Sequence, residues 1–455
     1  MERRDKIPVG LVTLGCAKNA VDSEYMLADL ERMGFELVGD LARAEAVVVN
    51  TCAFIEPARE ESVETVLEAA RLKETGRCRV LAVVGCLAQR YRDRLGKLLP
   101  EVDIFVGVGA EQRGLGELLA ERLGVLPPAG CGPETAARQV ETANEGWAYL
   151  KISEGCDNRC SYCAIPLIRG GLASRPAKEI IAEARYLESL GVREINLIAQ
   201  DVTAWGADRE GSRFGLAGLL ERLLARTSVP WIRLLYAHPA HLDWSLLELM
   251  AVEPRIVPYL DLPVQHASDR VLERMGRGVT RRRVLEVIEK ARKLLPQVVL
   301  RTTVMVGFPG EGKREFDQLL DFIEQVRFDR LGGFLYSKEE DTRAAAWRDS
   351  VPRAEKERRL ALVLELQRQI SAEKNAGRVG TALPVLVERP AAADESPGEE
   401  YHWIGRSPAH APEVDGWVYL AGSAAGGNIK IAPGVIVPAV VTGSGDYDLF
   451  AAPGG

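Results

Sequence analysis

The chain has 455 residues, of which 47% are apolar, enough to fill the cores of two or three domains. A formal net charge of -7 argues against a surface committed to nucleic-acid phosphates. Eight cysteines at this length are too few for a disulfide scaffold and point to a reducing compartment, the cytoplasm.

The opening stretch "MERRDKIPVGLVTLGC" combines basic residues, a short apolar run and a cysteine, as a lipoprotein leader does. Pro8 and Thr13 interrupt the run, which flows into a helical pattern, so it reads as the first strand of a domain and not as an export signal. No later segment is long and apolar enough to span a bilayer, and no membrane partner is expected.

Over 1–125, short Val-rich runs alternate with amphipathic segments. "VGLVTLGC", 20–33, "AVVVNTC", 57–73, "RVLAVVGC", a helix from about Leu87 and "DIFVGV" follow in order. This alternation predicts an α/β domain built on a parallel sheet with crossover helices. Three of its strands end in a cysteine, at Cys16, Cys52 and Cys86. Any one of them reads as a small buried hydrophobe. Three at equivalent strand ends converge on the edge where ligands collect in open parallel sheets. Cys78 and Cys131 fit no such pattern and are read as plain thiols.

Residues 126–146, rich in Pro, Gly and Ala, read as a linker. Six strand-like runs follow over 147–375: "WAYLKIS", "EINLIAQ", "WIRLLY", "YLDLPVQ", "VLRTTVMVGFP" and "LGGFLYS". Each is followed by a segment of helical length, which predicts a partial (β/α)6 barrel open on one side to a large substrate. A charged helix at about 352–375 leads into short Val-rich runs with Gly and Pro turns. These predict a small antiparallel β-barrel over 376–455.

The loop after the first barrel strand, where chemistry sits in such barrels, carries "SEGCDNRCSYCAIPLIRG" with Cys156, Cys160 and Cys163. A structural zinc site needs four protein ligands, and neither three-cysteine set supplies the fourth. An iron–sulfur cubane held by three thiolates keeps one iron open for a small molecule.

The C-x-x-x-C-x-x-C spacing, with Tyr162 before its last cysteine, resembles the signature of radical S-adenosylmethionine enzymes. In that superfamily the open iron binds S-adenosylmethionine, whose reductive cleavage yields a 5'-deoxyadenosyl radical. The resemblance extends over nearly the whole chain. "LGCAKNAVDSE", "NTCAFIEPAREESVETV", "GCLAQRY", "CSYCAIPLIRG", "YLDLPVQHASDRVLERMGR" and "GFPGE" are similar to the methylthiotransferase family, and closer to its ribosomal-protein branch than to its tRNA branch. The three-domain order, ending in a TRAM-like barrel for substrate recognition, agrees.

The resemblance implies two 4Fe-4S clusters, a radical-generating one on Cys156, Cys160 and Cys163 and an auxiliary one on Cys16, Cys52 and Cys86. It implies S-adenosylmethionine as methyl donor and radical source, sulfide or persulfide, and a low-potential external electron donor. Tyr162, Gln200 and the 306–311 loop with Gly307, Phe308, Pro309 and Gly310 are expected to line the S-adenosylmethionine pocket, with Asp201 facing the same mouth. Gly307 and Gly310 suit a backbone that must approach a ligand closely. Ser174, Arg175 and Arg301 are candidates for its carboxylate, since Arg offers a bidentate fork. His266 reads as a substrate contact or as support for its own loop. Asp341 and Arg343 stand where the family usually has Gly and Pro, and a basic residue expected just before Ser174 is missing.

The implied reaction inserts a methylthio group at the β-carbon of one aspartate in small-subunit ribosomal protein uS12, free or in the subunit. Two alternatives carry the same motif: methylthiolation of a tRNA adenosine, and a non-catalytic iron–sulfur sensor or electron carrier. Over 376–455 four basic residues face nine acidic ones, which argues against direct RNA binding and suits a basic protein partner. The segment 405–419 is expected to form part of that docking face.

Overall fold

The computed structural model describes residues 6–126, 138–209, 215–422 and 430–454. Cys131 and most of the linker expected at 126–146 lie outside the described residues.

The N-terminal domain alternates β1 (Pro8–Thr13), α1 (Ala17–Arg32), β2 (Glu36–Leu37), β3 (Ala46–Thr51), α2 (Glu56–Thr75), β4 (Val80–Gly85), α3 (Cys86–Leu98), β5 (Ile104–Val106) and α4 (Leu115–Leu123). All strand pairings are parallel, in the order β2-β1-β3-β4-β5. Every residue of β3 and β4 is buried, because helices cover both faces. Val47, Leu81 and Val83 pack under α2 and α3 on one face; Val48, Ala82 and Val84 pack with Met26, Leu30 and Leu119 on the other.

The second domain begins with β6 (Trp147–Lys151) and a two-strand hairpin, β7 (Ser153–Glu154) with β8 (Ala173–Ser174), which brackets the cysteine loop and α5 (Ile165–Arg169). It continues through α6 (Ala177–Ser189), β9 (Glu194–Ile198), α7 (Gly215–Leu224), β10 (Trp231–Leu234), α8 (Trp244–Val252), β11 (Tyr259–Asp261), α9 (Asp269–Met275), α10 (Arg281–Leu294), β12 (Val299–Val306), α11 (Lys313–Val326) and β13 (Arg330–Leu335). All six expected barrel strands form. They pair in parallel as β10-β9-β6 and β11-β12-β13, and a parallel bridge from Ile232 to Ile256 joins the halves. Among the described residues β6 and β13 have no partner on their outer edges, so the barrel is open between them.

Helix α12 (Arg353–Ala376) packs along β13 and leads to a closed barrel of β14 (Ala382–Pro390), β15 (Tyr401–Arg406), β16 (Val418–Ala421), β17 (Ile436–Ser444) and β18 (Leu449–Pro453). Its pairings are antiparallel except for β16 with β18. Most of the segment 405–419 turns toward the second domain, and within it only Glu413 and Val414 keep the exposure expected of a docking face. Arg406, fully buried, pairs with Glu194 at 2.6 Å, and Arg233 donates to the Pro408 carbonyl at 2.8 Å. Tyr149 and Tyr259 donate to Glu413 and Asp415, both at 2.6 Å, and Ala409 and Ala411 pack beside Trp147 and Trp231. The acidic residues of this segment thus engage tyrosines of the second domain, although Glu413 itself and Val414 stay exposed.

Candidate active site

Cys16, Cys52 and Cys86 follow the carboxyl ends of three adjacent strands, β1, β3 and β4. Gly85 has φ +91°, and a Cβ there would meet Asn50 Oδ1 at 2.4 Å, so only glycine can turn β4 directly into α3 and place Cys86 at the helix start. The Asn19 amide donates to the carbonyls of Leu14, at 2.9 Å, and Thr51, at 3.0 Å, joining the loops after β1 and β3. Ser62 Oγ accepts from the Cys52 amide at 3.0 Å and donates back to its carbonyl at 2.8 Å. Burial pushes the Cys86 thiol up to about 12, with the nearby Cys52 and Cys16 adding to the rise against Arg169. Cys16 is exposed, so the set opens on one side.

The second set hangs from the hairpin. Gly155, at φ +66°, lies so close to Gly171 that a Cβ would meet its carbonyl oxygen at 1.9 Å. The Cys156 amide donates to the Gly170 carbonyl at 3.1 Å, and the Cys163 amide to that of Cys160 at 3.2 Å. Arg277 donates to Cys160 Sγ at 3.5 Å. Burial pushes the Cys163 thiol up to about 12, with Cys160 and Cys156 adding to the rise. Tyr162 is buried edge-on to Phe308, at 6.3 Å between ring centroids, and Phe308 meets Tyr336 at 5.3 Å and Trp347 at 6.0 Å. Together with Met305 these rings form an apolar wall against Cys160 and Cys163.

A buried charged network lies between the two sets. Arg169 donates to Asn19 Oδ1 at 2.7 Å, Asp22 at 3.0 Å, Glu154 at 2.7 Å and Cys86 Sγ at 3.7 Å. Lys151 donates to Glu154 at 2.8 Å and also pairs with Asp22. Burial alone would raise Glu154; Lys151 and Arg169 more than offset it and hold the carboxyl at about 2. Lys18, in the first turn of α1, lies 3.1 Å above the centroid of the Tyr236 ring at the end of β10. Burial pulls its ammonium down to about 8, partly offset by Cys16.

The other residues singled out in the sequence divide clearly. Gln200 ends β9 facing Glu154 at 3.4 Å, and its Oε1 is buried without a donor among the described residues. Asp201 accepts from Asn158 of the cysteine loop at 2.9 Å and lies 2.7 Å from His241 Nδ1. Ser174 accepts the Gly206 amide at 2.8 Å, Arg175 pairs with Glu183 at 2.7 Å, and Arg301 pairs with Asp261 at 2.9 Å, so all three have protein partners. What comes close at Gly307 is the Lys356 stem, 2.3 Å from a notional Cβ, and at Gly310 it is Arg274 Nε, at 2.9 Å. Pro309 accepts from Arg274 through its carbonyl at 3.1 Å. His266 is fully buried, and its Nδ1 accepts the Ser268 amide at 3.0 Å, the loop-supporting arrangement. Asp341 adopts φ +63°, a left-handed conformation that glycine favours, and Arg343 donates to the Arg159 carbonyl inside the cysteine loop. Sequence reasoning missed Lys18, Asn19, Asp22, Lys151, Arg169 and Arg277. Five of these stand within ten residues of a cysteine, but nothing in the spacing marks them.

The donor sets fit clusters better than single ions. A tetrahedral ion with 2.3 Å bonds to sulfur needs sulfurs about 3.8 Å apart. Among the described residues the one group of three ligand atoms all within 4.8 Å of one another is Asp201, His238 and His241, not a cysteine set. Three thiolates without a fourth protein ligand suit a multi-iron cluster that keeps one iron open. His238 in turn makes a poor metal ligand, because its Nδ1 accepts the Ala240 amide at 3.2 Å, which puts the proton on Nε2. Ser153 Oγ and Tyr336 OH, like Gln200 Oε1, are buried with no partner among the described residues, leaving polar atoms for a polar ligand at this mouth.

Three family models match successive parts of the chain: the uncharacterized protein family UPF0004 at 8–107, the radical SAM superfamily at 150–323 and the TRAM domain at 379–453. Among solved structures, the radical S-adenosylmethionine methyltransferase TsrM from Kitasatospora setae aligns with a TM-score of 0.54 at 16% identity, covering 86% of this chain and 81% of that one. At that identity the likeness shows the fold alone. The ribosomal protein uS12 methylthiotransferase RimO of Desulforudis audaxviator is 46% identical, covering 97% of this chain and 96% of its own length. That of Myxococcus xanthus is 45% identical over 97% of this chain and 90% of its own. With three domains in family order and both cysteine sets in place, the chain belongs to the RimO family of radical S-adenosylmethionine methylthiotransferases.

Proposed function

We propose that this enzyme inserts a methylthio group at the β-carbon of an aspartate in ribosomal protein uS12. Cys156, Cys160 and Cys163 would hold the 4Fe-4S cluster that binds S-adenosylmethionine, and Cys16, Cys52 and Cys86 a second, sulfur-bearing cluster. When bound, these groups supply the radical chemistry and the sulfur, which no side chain can provide.

The chain's own residues have three tasks. The wall of Tyr162, Phe308 and Tyr336 excludes water and offers an apolar bed for adenine. Gln200 Oε1, with no donor of its own, suits the amino group of S-adenosylmethionine. Ser174, Arg175 and Arg301 are each engaged by a protein partner, so they brace their own segments more than they bind the ligand. A single observation supports the reading most: Arg169 belongs to the barrel's cysteine loop region yet reaches Cys86 of the other set, so the two thiol sites are neighbours.

Protein is favoured over tRNA by charge. The exposed loop from β14 to β15 carries Asp394, Glu395, Glu399 and Glu400, with only Arg389 paired against them. An acidic loop attracts a basic ribosomal protein and repels a phosphate backbone. No helix among the described residues is long and apolar enough to cross a membrane. We place the reaction in the cytoplasm, where thiols stay reduced and a low-potential donor is at hand.

The test is anaerobic. Reconstituted enzyme with S-adenosylmethionine, sulfide and reductant is offered a uS12 target-loop peptide and a tRNA anticodon stem, and both are read by mass spectrometry. A methylthio gain on the peptide aspartate is expected. A gain on the RNA instead would replace this reading with the tRNA activity, and 5'-deoxyadenosine without either product would leave only radical generation.

A further inference from the structure

The junction between the two thiol sites holds a cation that no protein anion claims. Lys18 is two residues beyond Cys16, 7% exposed, with its ammonium facing the Tyr236 ring. Among the described residues its Nζ has no hydrogen bond and no ion pair within 4 Å. The carboxylates around it are engaged elsewhere: Asp261 with Arg301 at 2.9 Å and with the Tyr236 amide at 2.8 Å, Glu154 with Lys151 at 2.8 Å and Arg169 at 2.7 Å. Asp22 is shared by the same two cations as Glu154.

An ammonium held in this place without an oxygen acceptor is costly, and one aromatic face offsets only part of that cost. Three N–H donors stay available for a ligand. The ring beneath is fixed: Tyr236 holds φ +67° although it is not glycine, with its amide bound to Asp261 and its carbonyl accepting from Val202 at 3.1 Å. A non-glycine residue keeps such a conformation only where its surroundings enforce it.

We propose that Lys18 receives the carboxylate of the aspartate to be modified. The inference rests on the function proposed above and names how the substrate is recognised. In an aspartate the β-carbon is bonded directly to the carboxyl carbon. Fixing the carboxylate on a rigid ammonium therefore fixes the reacting carbon at the junction of the two thiol sites. A compact point charge suits a single carboxylate, and a neutral substrate would leave the ammonium buried and unpaired. Recognition is thus built as much on rejection as on attraction.

The test compares two synthetic uS12 target-loop peptides, one with the target aspartate and one with asparagine in its place. Their affinities are measured by competition anisotropy on anaerobically reconstituted enzyme with S-adenosylmethionine bound, for wild type, Lys18→Met and Lys18→Arg. Wild type is expected to prefer the aspartate peptide by about tenfold or more, Lys18→Met to bind the two within about twofold, and Lys18→Arg to recover part of the preference. The ratio is read within each protein, so a poorly folded variant lowers both affinities without mimicking the result. A tenfold preference retained by Lys18→Met overturns the anchor while leaving the uS12 reading intact. The same holds if Lys18→Met alters only the electron paramagnetic resonance of the auxiliary cluster. No preference in wild type also overturns it. Failure of wild type to methylthiolate the aspartate peptide overturns the functional reading, and the anchor with it.

Discussion

One guanidinium nitrogen of Arg169, six residues beyond Cys163, lies 3.7 Å from Sγ of Cys86, a residue of the other domain. The same side chain, 1% exposed, satisfies Asn19, Asp22 and Glu154, so a single cation joins the loops that carry both cysteine sets.

Removing that cation should damage the N-terminal site first. Arg169→Met leaves the buried Asp22 and the half-buried Glu154 sharing Lys151 alone, and is expected to cost about 3 kcal/mol of stability. It should also reduce the iron held at Cys16, Cys52 and Cys86. Both are measurable, by urea unfolding and by iron content, in a background where Cys156, Cys160 and Cys163 are serine. An unchanged midpoint with full iron retention would show that the guanidinium does neither.

Glu339 plays the corresponding part on the far side of the domain junction. It is 1% exposed, accepts from Arg90 at 2.9 Å, from the Glu56 amide at 3.0 Å and from Ser337 Oγ at 2.6 Å, and also pairs with Arg59. Glu339→Gln keeps the shape and removes the charge, leaving two arginines without their anion at a cost of about 3–5 kcal/mol. Because α2 begins at this contact, its first turn should open sooner. Hydrogen exchange at 56–59 is expected to quicken in the variant, while exchange in the β14 to β18 barrel stays at the wild-type rate.

These pairings also mark the limit of what the sequence reveals. The six cysteines are legible because spacing and strand-end position are local patterns, and β4 falls inside the run "RVLAVVGC" where Val-rich periodicity places it. Arg169 with Cys86 and Arg59 with Glu339 join residues 83 and 280 positions apart, and no periodicity encodes such a meeting. The segment 405–419 fails differently. Its Gly, Pro and acidic residues look like exposed turns, but Tyr259 of another domain binds the half-buried Asp415, and Tyr149 reaches the still exposed Glu413. Polarity in a sequence says that a partner is needed, not whether water or protein supplies it.

Asp341 tests the turn beside the Glu339 clamp. Its φ of +63° is left-handed, a region that aspartate tolerates, glycine favours and β-branched residues resist. Asp341→Gly is expected to change stability by no more than about 0.5 kcal/mol, because relief of strain is offset by a freer unfolded chain. Asp341→Val should cost about 1–2 kcal/mol. Among the described residues the exposed side chain has no hydrogen bond or ion pair whose loss would blur the comparison, so unfolding midpoints of the two variants isolate the backbone effect. Equal losses in both would mean that the carboxylate, not the conformation, matters at this turn.

His266 gives the protein an acid-sensitive component whose sign follows from its burial. Its side chain is completely buried, its Nδ1 accepts from Ser268, and Nε2 lies 3.7 Å from Glu311, too far for a hydrogen bond. Burial pulls the imidazole down to about 3, with Glu315 opposing and Arg359 reinforcing the shift. An unfolded histidine titrates near about 6.5. Between those values the unfolded chain takes up a proton that the folded one refuses, so this contribution is complete above about pH 6.5 and shrinks as the pH falls. His266→Asn keeps an acceptor for the Ser268 amide and does not titrate. Relative to that variant, wild type should lose about 2 kcal/mol between pH 7.5 and pH 5. Urea unfolding of the metal-free proteins at the two pH values measures the difference directly. A gap between the two proteins that does not change with pH would mean that the folded imidazole takes up its proton as readily as the unfolded one, with Glu311 as its partner.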